Sequence, residues 1–180
     1  TKYTSAIPHE GYAVALKMMR GKQSWVYATN VDALWLRSPM ENGDHVGVVE
    51  FHGSGFRAQC TMCDAPAWEL RLEEETSPSA IPRCPRCRGI AGPNILFFGD
   101  PPVGKLGGFQ QLGAPRAQLH GYQEFIRLSK DALASPDQFV AVEIGAGNLV
   151  DTMQNELRRI KPRTIIKVNP AASRHGISDG

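Results

Sequence analysis

A pair of cysteine knuckles constrains the fold of this chain more than any other feature. All four cysteines of the 180-residue sequence fall into two Cys-x-x-Cys units, Cys60 with Cys63 and Cys84 with Cys87, separated by 20 residues. Each unit can present two thiolates to one tetrahedral zinc ion, and the intervening length suits a small β-ribbon. With four thiolates the predicted zinc is structural and has no open coordination position. Two disulfides, or four thiols in a core, are the alternatives.

Residues around the second knuckle are consistent with a compact metal-binding turn. Pro82 and Pro85 restrict the backbone, and Gly89 follows where a tight turn is expected to need a positive φ. The one local basic cluster lies here too, at Arg83, Arg86 and Arg88. We interpret this cluster as a solvated surface, with phosphate binding as the alternative.

Charge and hydropathy exclude several classes of function. The chain has 20 Lys and Arg against 18 Asp and Glu, a net charge of +2, and its basic residues are scattered. Direct nucleic-acid binding is therefore not expected. The sequence contains no apolar run of membrane-spanning length and no recognisable targeting peptide. We expect an intracellular protein without a membrane contact, cytoplasmic or, in a eukaryote, also nuclear.

Helical and strand patterns alternate along the chain. Apolar spacing predicts helices over 9–20, 118–133 and 150–160, and strands over 25–28, 47–51, 95–98, 139–144 and 164–168. Short strands separated by helices predict an α/β fold with a parallel sheet covered on both faces. The cysteine-bearing segment interrupts that alternation. We therefore predict one domain from residues 1–56 and 92–180, with a small zinc-ribbon domain over 57–91.

Polar and glycine residues follow the predicted strands at their carboxyl ends, where ligands bind in sheets of this kind. They are Asn30, Asp32, His52, Gly145 to Gly147, and Asn169. Each has a simpler interpretation. Asn30 and Asp32 are typical of caps and turns, His52 of a loop histidine, the Gly-Ala-Gly of a tight turn, and Asn169-Pro170 of a strand end. Their shared edge favours a ligand site.

Five segments, in order, resemble the sirtuins, the NAD-dependent protein deacylases. Residues 28–34 look like the family's Thr-Gln-Asn-Val-Asp-Gly-Leu, and residues 50–56 like its Glu-Leu-His-Gly-Ser segment with the catalytic histidine. The paired knuckles follow, and residues 92–100 resemble Arg-Pro-Asn-Ile-Val-Phe-Phe-Gly-Glu. Residues 144–147 stand where the family has Val-Gly-Thr-Ser, and residues 168–170 resemble Ile-Asn-Pro. The resemblance extends from residue 9 to residue 170.

The sequence also departs from the sirtuin pattern. The family's N-terminal NAD-binding loop, with Gly-Ala-Gly-Ile-Ser and Gly-Ile-Pro-Asp-Phe-Arg, does not occur in it. Thr29 replaces the family glutamine, Trp35 the following histidine, and Ala146-Gly147 the Thr-Ser pair. The resemblance thus implies a Rossmann-like NAD-binding domain that is incomplete at its N-terminus.

The resemblance implies a role for each matching residue. His52 would be the general base that takes a proton from a ribose hydroxyl. The remaining cofactor-binding residues would be Thr29, Asn30, Asp32, Gly145, Ala146, Gly147, Asn169 and Pro170. Leu96, Phe98 and Gly99 would bind the substrate backbone, with Phe98 lining an acyl-lysine tunnel.

The implied activity is NAD-dependent deacylation of lysine in an acylated protein or peptide. NAD would be consumed, nicotinamide and O-acyl-ADP-ribose released, and one structural zinc bound per chain. NAD hydrolysis or ADP-ribosyl transfer on the same fold is one alternative. A non-catalytic, zinc-stabilised binding module is the other.

Overall fold

The computed structural model describes residues 5–39, 46–70, 81–97, 114–132, 139–147 and 150–169. The chain divides into two compact units, Thr1–Gln123 and Glu124–Gly180. The described elements are, in order, α1 (Glu10–Met19), β1 (Ser24–Ala28), β2 (Val46–Glu50), β3 (Gly53–Cys60), β4 (Trp68–Glu69), β5 (Ala91–Ile95), α2 (Arg116–Ala132), β6 (Val140–Ile144), α3 (Thr152–Ile160) and β7 (Thr164–Val168). The α/β class is as predicted, and the three helices lie within about two residues of their predicted bounds.

In the first unit, β1 and β2 form a parallel pair in which Ser24 lies opposite Val46 and Ala28 opposite Glu50. One face of this pair carries the buried cluster of Val26, Ala28 and Val48, against which Met19 and Trp35 pack. Burial of this apolar surface, rather than strand propensity alone, stabilises so short a pair.

Aromatic rings cover the other face of the pair. Trp25 and Tyr27 both lie against Tyr122 of α2, with ring centroids 6.1 and 5.2 Å apart. Gly121 allows this contact, because a Cβ there would come within 2.7 Å of the Trp25 ring; a Cβ at Gly47 would also overlap it. The predicted cover on both faces is therefore confirmed for β1 and β2.

A second, antiparallel sheet carries the cysteines, with strand order β4-β3-β5. Here the prediction of a parallel strand over 95–98 was wrong, because the strand is β5, further back in the chain and antiparallel to β3. Gly53 adopts a φ of 84° and reverses the chain directly after β2, so β3 starts a new sheet. The register shifts between Ser54 and Ala58, beside Pro93, which has no N–H to donate.

In the second unit, β6 and β7 form another parallel pair, from Val140 opposite Thr164 to Ile144 opposite Val168. Unlike β1 and β2, this pair keeps a row of apolar side chains exposed, namely Val140, Val142, Ile144, Ile166 and Val168. The opposite face carries Glu143, which is buried and lies 3.7 Å from the Lys167 ammonium. Within the described residues, apolar cover is thus seen on both faces of β1 and β2, whereas β6 and β7 have one face exposed.

Residues 101–115 are rich in Gly and Pro, which predicts a loop, and all but the last two of them lie outside the described part of the chain. The proposed boundaries of the small domain stay a prediction. Among the described residues, no helix is both long and apolar enough to cross a lipid bilayer.

Candidate functional site

The first cluster of predicted site residues lies at the carboxyl edge of β1 and β2. Because the strands are parallel and in register, the segments that follow Ala28 and Glu50 leave the sheet side by side. The amide of Phe51 donates to the carbonyl of Ala28 at 2.8 Å, which extends the pairing past the strand ends. His52 and Thr29 are thereby brought together.

The imidazole of His52 is fixed by a backbone carbonyl. Its Nδ1 lies 3.1 Å from the oxygen of Thr29. A carbonyl can only accept, so Nδ1 carries the proton and Nε2 carries the lone pair. Burial lowers the pKa of His52 below its usual value, and the hydrogen bond to Thr29 opposes that change only in part. The ring is therefore neutral at pH 7, as a general base requires.

Asn30 and Asp32 lie in the turn that follows β1. Asn30 is exposed, whereas Asp32 is half-buried and its Oδ1 accepts a hydrogen bond from the amide of Leu34 at 3.0 Å. The turn interpretation of Asp32 is thus correct in part, because one carboxylate oxygen shapes the backbone. Ala33 adopts a φ of 55°, in the left-handed region. The carbonyl of Val31 accepts from the amide of Gly55 at 2.9 Å, which ties this turn to β3.

An aromatic pair lies beside this turn. Trp35 meets Tyr12 of α1 edge to face, with ring centroids 4.7 Å apart. Burial raises the pKa of Tyr12, and the nearby Asp32 carboxylate raises it further. Trp35, which replaces the family histidine, therefore packs as part of the wall between α1 and the turn.

Leu96, predicted to contact substrate, lies next to His52. Its amide donates to the carbonyl of His52 at 2.9 Å, continuing the ladder between β3 and β5 by one residue. The Leu96 N–H is therefore already engaged, so an added peptide strand would have to use its carbonyl. Phe98 and Gly99 lie outside the described residues.

In the second unit, the predicted residues form their own cluster at the carboxyl edge of β6 and β7. Gly145 turns the chain with a φ of 68°, and its amide donates to the carbonyl of Val168 at 2.9 Å. The side-chain amide of Asn169 donates to the carbonyl of Ala146 at 2.7 Å. Gln154 of α3 donates to the carbonyl of Gly147 at 3.2 Å. One backbone amide and two side-chain amides therefore fix this turn. Pro170 lies outside the described residues.

The four cysteines form one compact cluster. Their sulfur atoms all lie within 4.8 Å of one another, and none is bonded to another. Cys60 and Cys87 have their sulfurs 3.5 Å apart, and Cys63 and Cys84 have theirs 3.7 Å apart. Zn–S bonds of about 2.3 Å in a tetrahedron need sulfur separations of about this size. The disulfide alternative is therefore wrong, and the site fits zinc.

Backbone amides point at the sulfurs in both knuckles. The amides of Met62 and Cys63 donate to Cys60 Sγ, each at 3.2 Å, and the amide of Cys87 donates to Cys84 Sγ at 3.5 Å. The Cys87 amide makes the largest contribution to a pKa of Cys84 lowered to about 6, burial opposes it, and the Arg86 amide and the thiols of Cys60 and Cys63 lower it further. Such amides stabilise thiolates, the form that binds metal.

One detail of the second knuckle differs from the prediction. The residue with positive φ is Arg88, at 64°, rather than Gly89. Gly89 is required for a different reason, since a Cβ there would come within 2.7 Å of Met62 Cγ and 3.2 Å of Cys87 Sγ. The glycine makes room for the metal cluster instead of relieving backbone strain.

Sequence reasoning missed two contributions to the first cluster. Thr29 was predicted to bind cofactor, and the sequence did not indicate that its backbone carbonyl orients His52. Arg57 was not singled out, yet it forms a largely buried ion pair with Glu50, two residues before His52. The sequence contains only one signal for the Glu50–Arg57 pair. The arginine follows the glutamate by seven residues, with a tight turn between them.

Comparison with known proteins identifies relatives of this chain. The model of the Sir2 family matches residues 3–112. NAD-dependent protein deacetylase 1 of Pyrobaculum aerophilum is 36% identical over 90 residues, covering 50% of this chain and 33% of that protein. NAD-dependent protein deacylase 1 of Caldanaerobacter subterraneus is 33% identical over 132 residues, covering 71% of this chain and 48% of that protein. The chain thus spans at most about half the length of these curated relatives.

Solved structures show the same fold. A crystal structure of a Sir2 homolog–NAD complex superposes with a TM-score of 0.64 at 22% identity, covering 94% of this chain and 56% of the other. A structure of Sir2 bound to acetylated peptide gives a TM-score of 0.59 at 19% identity, covering 93% and 61%. At this level of identity, the likeness establishes the fold.

Proposed function

Since this chain belongs to the Sir2 family, we propose that it acts as an NAD-dependent protein lysine deacylase. The acyl group of a modified lysine would be transferred to ADP-ribose, with release of nicotinamide and O-acyl-ADP-ribose. NAD would supply the ADP-ribosyl acceptor and the nicotinamide leaving group. The names of its relatives and the match over residues 3–112 support this proposal.

One observation supports the proposal more than any other, the contact between His52 and the carbonyl of Thr29. It selects the tautomer with the lone pair on Nε2 and holds the ring at the carboxyl edge of a parallel pair. A neutral, oriented imidazole is suited to take a proton from a ribose hydroxyl, which makes that oxygen a better nucleophile.

The residues that follow β1 are suited to the nicotinamide and its ribose. Exposed Asn30 has an amide that can both donate and accept, which matches a carboxamide group. Asp32 and Thr29 would complete this part of the site. The Leu34 amide donates to Asp32 Oδ1 and the Gly55 amide donates to the carbonyl of Val31, so the turn is ordered before a ligand arrives.

We assign the adenosine half of NAD to the turn of the second unit. Gly145, Ala146 and Gly147 have no side-chain hydroxyl, so they would contact the ligand through backbone groups alone. Asn169, whose side-chain amide donates to the carbonyl of Ala146, and the next residue in the sequence, Pro170, are the other proposed cofactor contacts. The loss of the family's two hydroxyls predicts weaker binding of NAD, rather than loss of the reaction.

We propose that the acyl-lysine peptide lies along Leu96, Phe98 and Gly99. The bond from the Leu96 amide to the His52 carbonyl supports this assignment, because it keeps the segment at hydrogen-bonding distance from the base. Phe98 would line the channel for the acylated side chain. A protein or peptide bound this way would form backbone hydrogen bonds along this segment, as an added strand does.

The zinc ion would have no chemical role, because four thiolates fill its coordination sphere. A cluster of reduced cysteines suits a reducing compartment. We therefore also propose an intracellular, cytoplasmic location, or a nuclear one in a eukaryotic cell.

Release of nicotinamide by the full-length protein, with and without an acylated lysine peptide, tests the proposal. We expect release only when NAD and the acyl peptide are both present, together with one O-acyl-ADP-ribose per deacylated lysine. The non-acylated peptide is the matched control. Equal release without peptide would indicate NAD hydrolysis, and modification of the peptide by ADP-ribose would indicate transferase activity.

A calorimetric titration with NAD separates these enzymes from the third possibility. Binding of NAD without turnover of any acyl peptide would contradict the proposed reaction. No binding at all would favour the zinc-stabilised binding module.

A further inference from the structure

Four buried or largely buried polar side chains of β2, β3 and β5 form one hydrogen-bonded row in the first unit. Glu50 and Asn94 are each 1% exposed, Gln59 is 6% exposed, and the Arg57 side chain is 14% exposed. Buried polar groups at this density require mutual hydrogen bonds, since each would otherwise lose its water without compensation. None of these four side chains has a role in the reaction proposed above.

The four side chains are joined end to end. Arg57 Nη2 lies 2.5 Å from Glu50 Oε2, and Arg57 Nε lies 3.4 Å from Asn94 Oδ1. Asn94 Nδ2 then donates to Gln59 Oε1 at 2.8 Å. Within the described residues, Glu50 Oε1 has no hydrogen-bond partner, so Arg57 is the group that balances this buried carboxylate. The Arg57 guanidinium on β3 therefore contacts both Glu50 on β2 and Asn94 on β5.

The position of this row relative to the proposed site is informative. Glu50 precedes His52 by two residues, and Asn94 precedes Leu96 by two residues. The amide of Leu96 donates to the carbonyl of His52 at 2.9 Å. Arg57 thus joins Glu50 and Asn94, and each of these lies two residues before a member of the His52–Leu96 contact. At that contact the proposed base meets the proposed substrate segment.

We propose that Arg57 is a positioning residue, which sets the distance between the His52 segment and the Leu96 segment through Glu50 and Asn94. This inference rests on the proposed function for its consequence in turnover, but the geometric effect can be measured without it. Replacing both members of a buried ion pair by neutral groups often leaves stability unchanged. The specific contribution of this pair is therefore the alignment of the two segments.

Two variants test the proposal. Glu50→Gln combined with Arg57→Met removes both charges while keeping side-chain volume, so no unpaired buried charge remains. Asn94→Ala breaks the other end of the bridge and leaves the ion pair in place. The matched control is Asp64→Asn with Arg86→Met, which neutralises an ion pair of 2.6 Å on the surface of the same ribbon, with both side chains more than 60% exposed.

The first readout does not depend on activity. Hydrogen exchange of the Leu96 amide and the ¹⁵N shift of the His52 ring report the alignment directly. In the double variant we expect exchange of the Leu96 amide to become at least tenfold faster, with zinc content unchanged and melting close to that of the parent. Asn94→Ala should act in the same direction, and the control pair should change nothing.

The second readout is turnover. Both test variants should lower kcat for nicotinamide release at least tenfold, with KM for NAD within about twofold, as expected for misplaced reacting groups. An unchanged Leu96 exchange rate and unchanged kcat in a folded double variant would overturn the proposal. If the parent protein shows no peptide-dependent release but the exchange effect occurs, the proposed function fails and the positioning role stands.

Discussion

The two parallel strand pairs of this protein have the same form and opposite surroundings. β1–β2 and β6–β7 each pair five residues with five in unbroken register, and each is followed by a turn that carries predicted ligand contacts. Val49 in the first pair is 0% exposed, whereas Val142 in the second is 42% exposed. Backbone pairing is therefore the same in both, and the difference lies in what packs on the strands.

The turns at the two carboxyl edges differ in a related way. After β1 and β2, backbone groups orient side chains, so that the Thr29 carbonyl holds the His52 ring. After β6 and β7, side chains hold backbone groups, so that Asn169 is bound to the carbonyl of Ala146. The first edge presents reactive side chains, and the second presents mainly backbone. This contrast supports the proposal that the first edge carries the reaction and the second binds cofactor.

Loss of zinc should have the largest effect, and the effect should be confined to the first unit, because all four cysteines lie there. Structural zinc contributes about 10–16 kcal/mol in zinc-finger peptides. Cys60→Ser should reduce bound zinc from one per chain to none and abolish hydrogen-exchange protection in β3 and β5. The β6–β7 amides provide an internal reference. Met62→Ala, an exposed change in the same knuckle, is the control.

Retention of zinc and of β3 protection in Cys60→Ser would show that the sheet is stable without the metal. The first unit would then be stabilised by the aromatic residues that pack on β1 and β2. The cysteine cluster would not explain the difference between the two units.

The next largest effect is expected at His52. His52→Ala should lower nicotinamide release about 10²- to 10⁴-fold, the usual contribution of a general base, while melting changes little. His120→Ala, at an exposed position on α2, should leave the rate unchanged. Steady-state rates with saturating NAD and acyl peptide measure this. A His52 variant as active as the His120 variant would remove the functional contrast between the two edges.

The pH dependence sharpens the same assignment. The base acts when neutral, so the rate should be constant above the pKa of His52 and fall as protonation proceeds below it. Burial lowers that pKa from the ordinary 6.5. The acidic limb of kcat/KM should therefore lie below pH 6.5, a profile measured between pH 4.5 and 8. A limb centred above 6.5 would mean that the ring is not the buried imidazole seen here.

A matched pair of valine substitutions, one buried and one exposed, tests the burial contrast directly. Val49→Ala should reduce the free energy of unfolding by about 2 kcal/mol, through lost transfer energy and a cavity. Val142→Ala, the same change in the exposed pair, should cost about 0.5 kcal/mol or less. Urea denaturation measures both. Equal costs would mean that β6–β7 is covered in solution, and the difference between the pairs would disappear.

Sequence patterns predicted much of this architecture, for reasons that also explain the failures. The apolar run over 164–168 predicted β7 with its observed bounds, since periodicity does not depend on neighbours. The bounds and direction of β5 were wrong, because they depend on pairing with β3. The exposure of apolar side chains on β6 and β7 was also not predicted, because exposure depends on what packs against the strands. Knuckle spacing predicted the cysteine cluster, but no pattern indicates that the Thr29 carbonyl would orient His52.

The smallest expected effect concerns backbone strain at two of the three non-glycine residues with positive φ in the described part of the chain, one in the turn after β1 and one after α3. Ala33 and Lys161 both have positive φ, at 55° and 51°, where a Cβ costs about 1–2 kcal/mol. Ala33→Gly and Lys161→Gly should each raise stability by about 1 kcal/mol, less the added entropy of the unfolded chain. Ala13→Gly, the same change inside α1, should lower stability by about 0.5–1 kcal/mol. If Ala33→Gly also lowers turnover, the strain at Ala33 holds Asp32 in place; if only stability changes, that strain is incidental, as it is at the C-cap of α3.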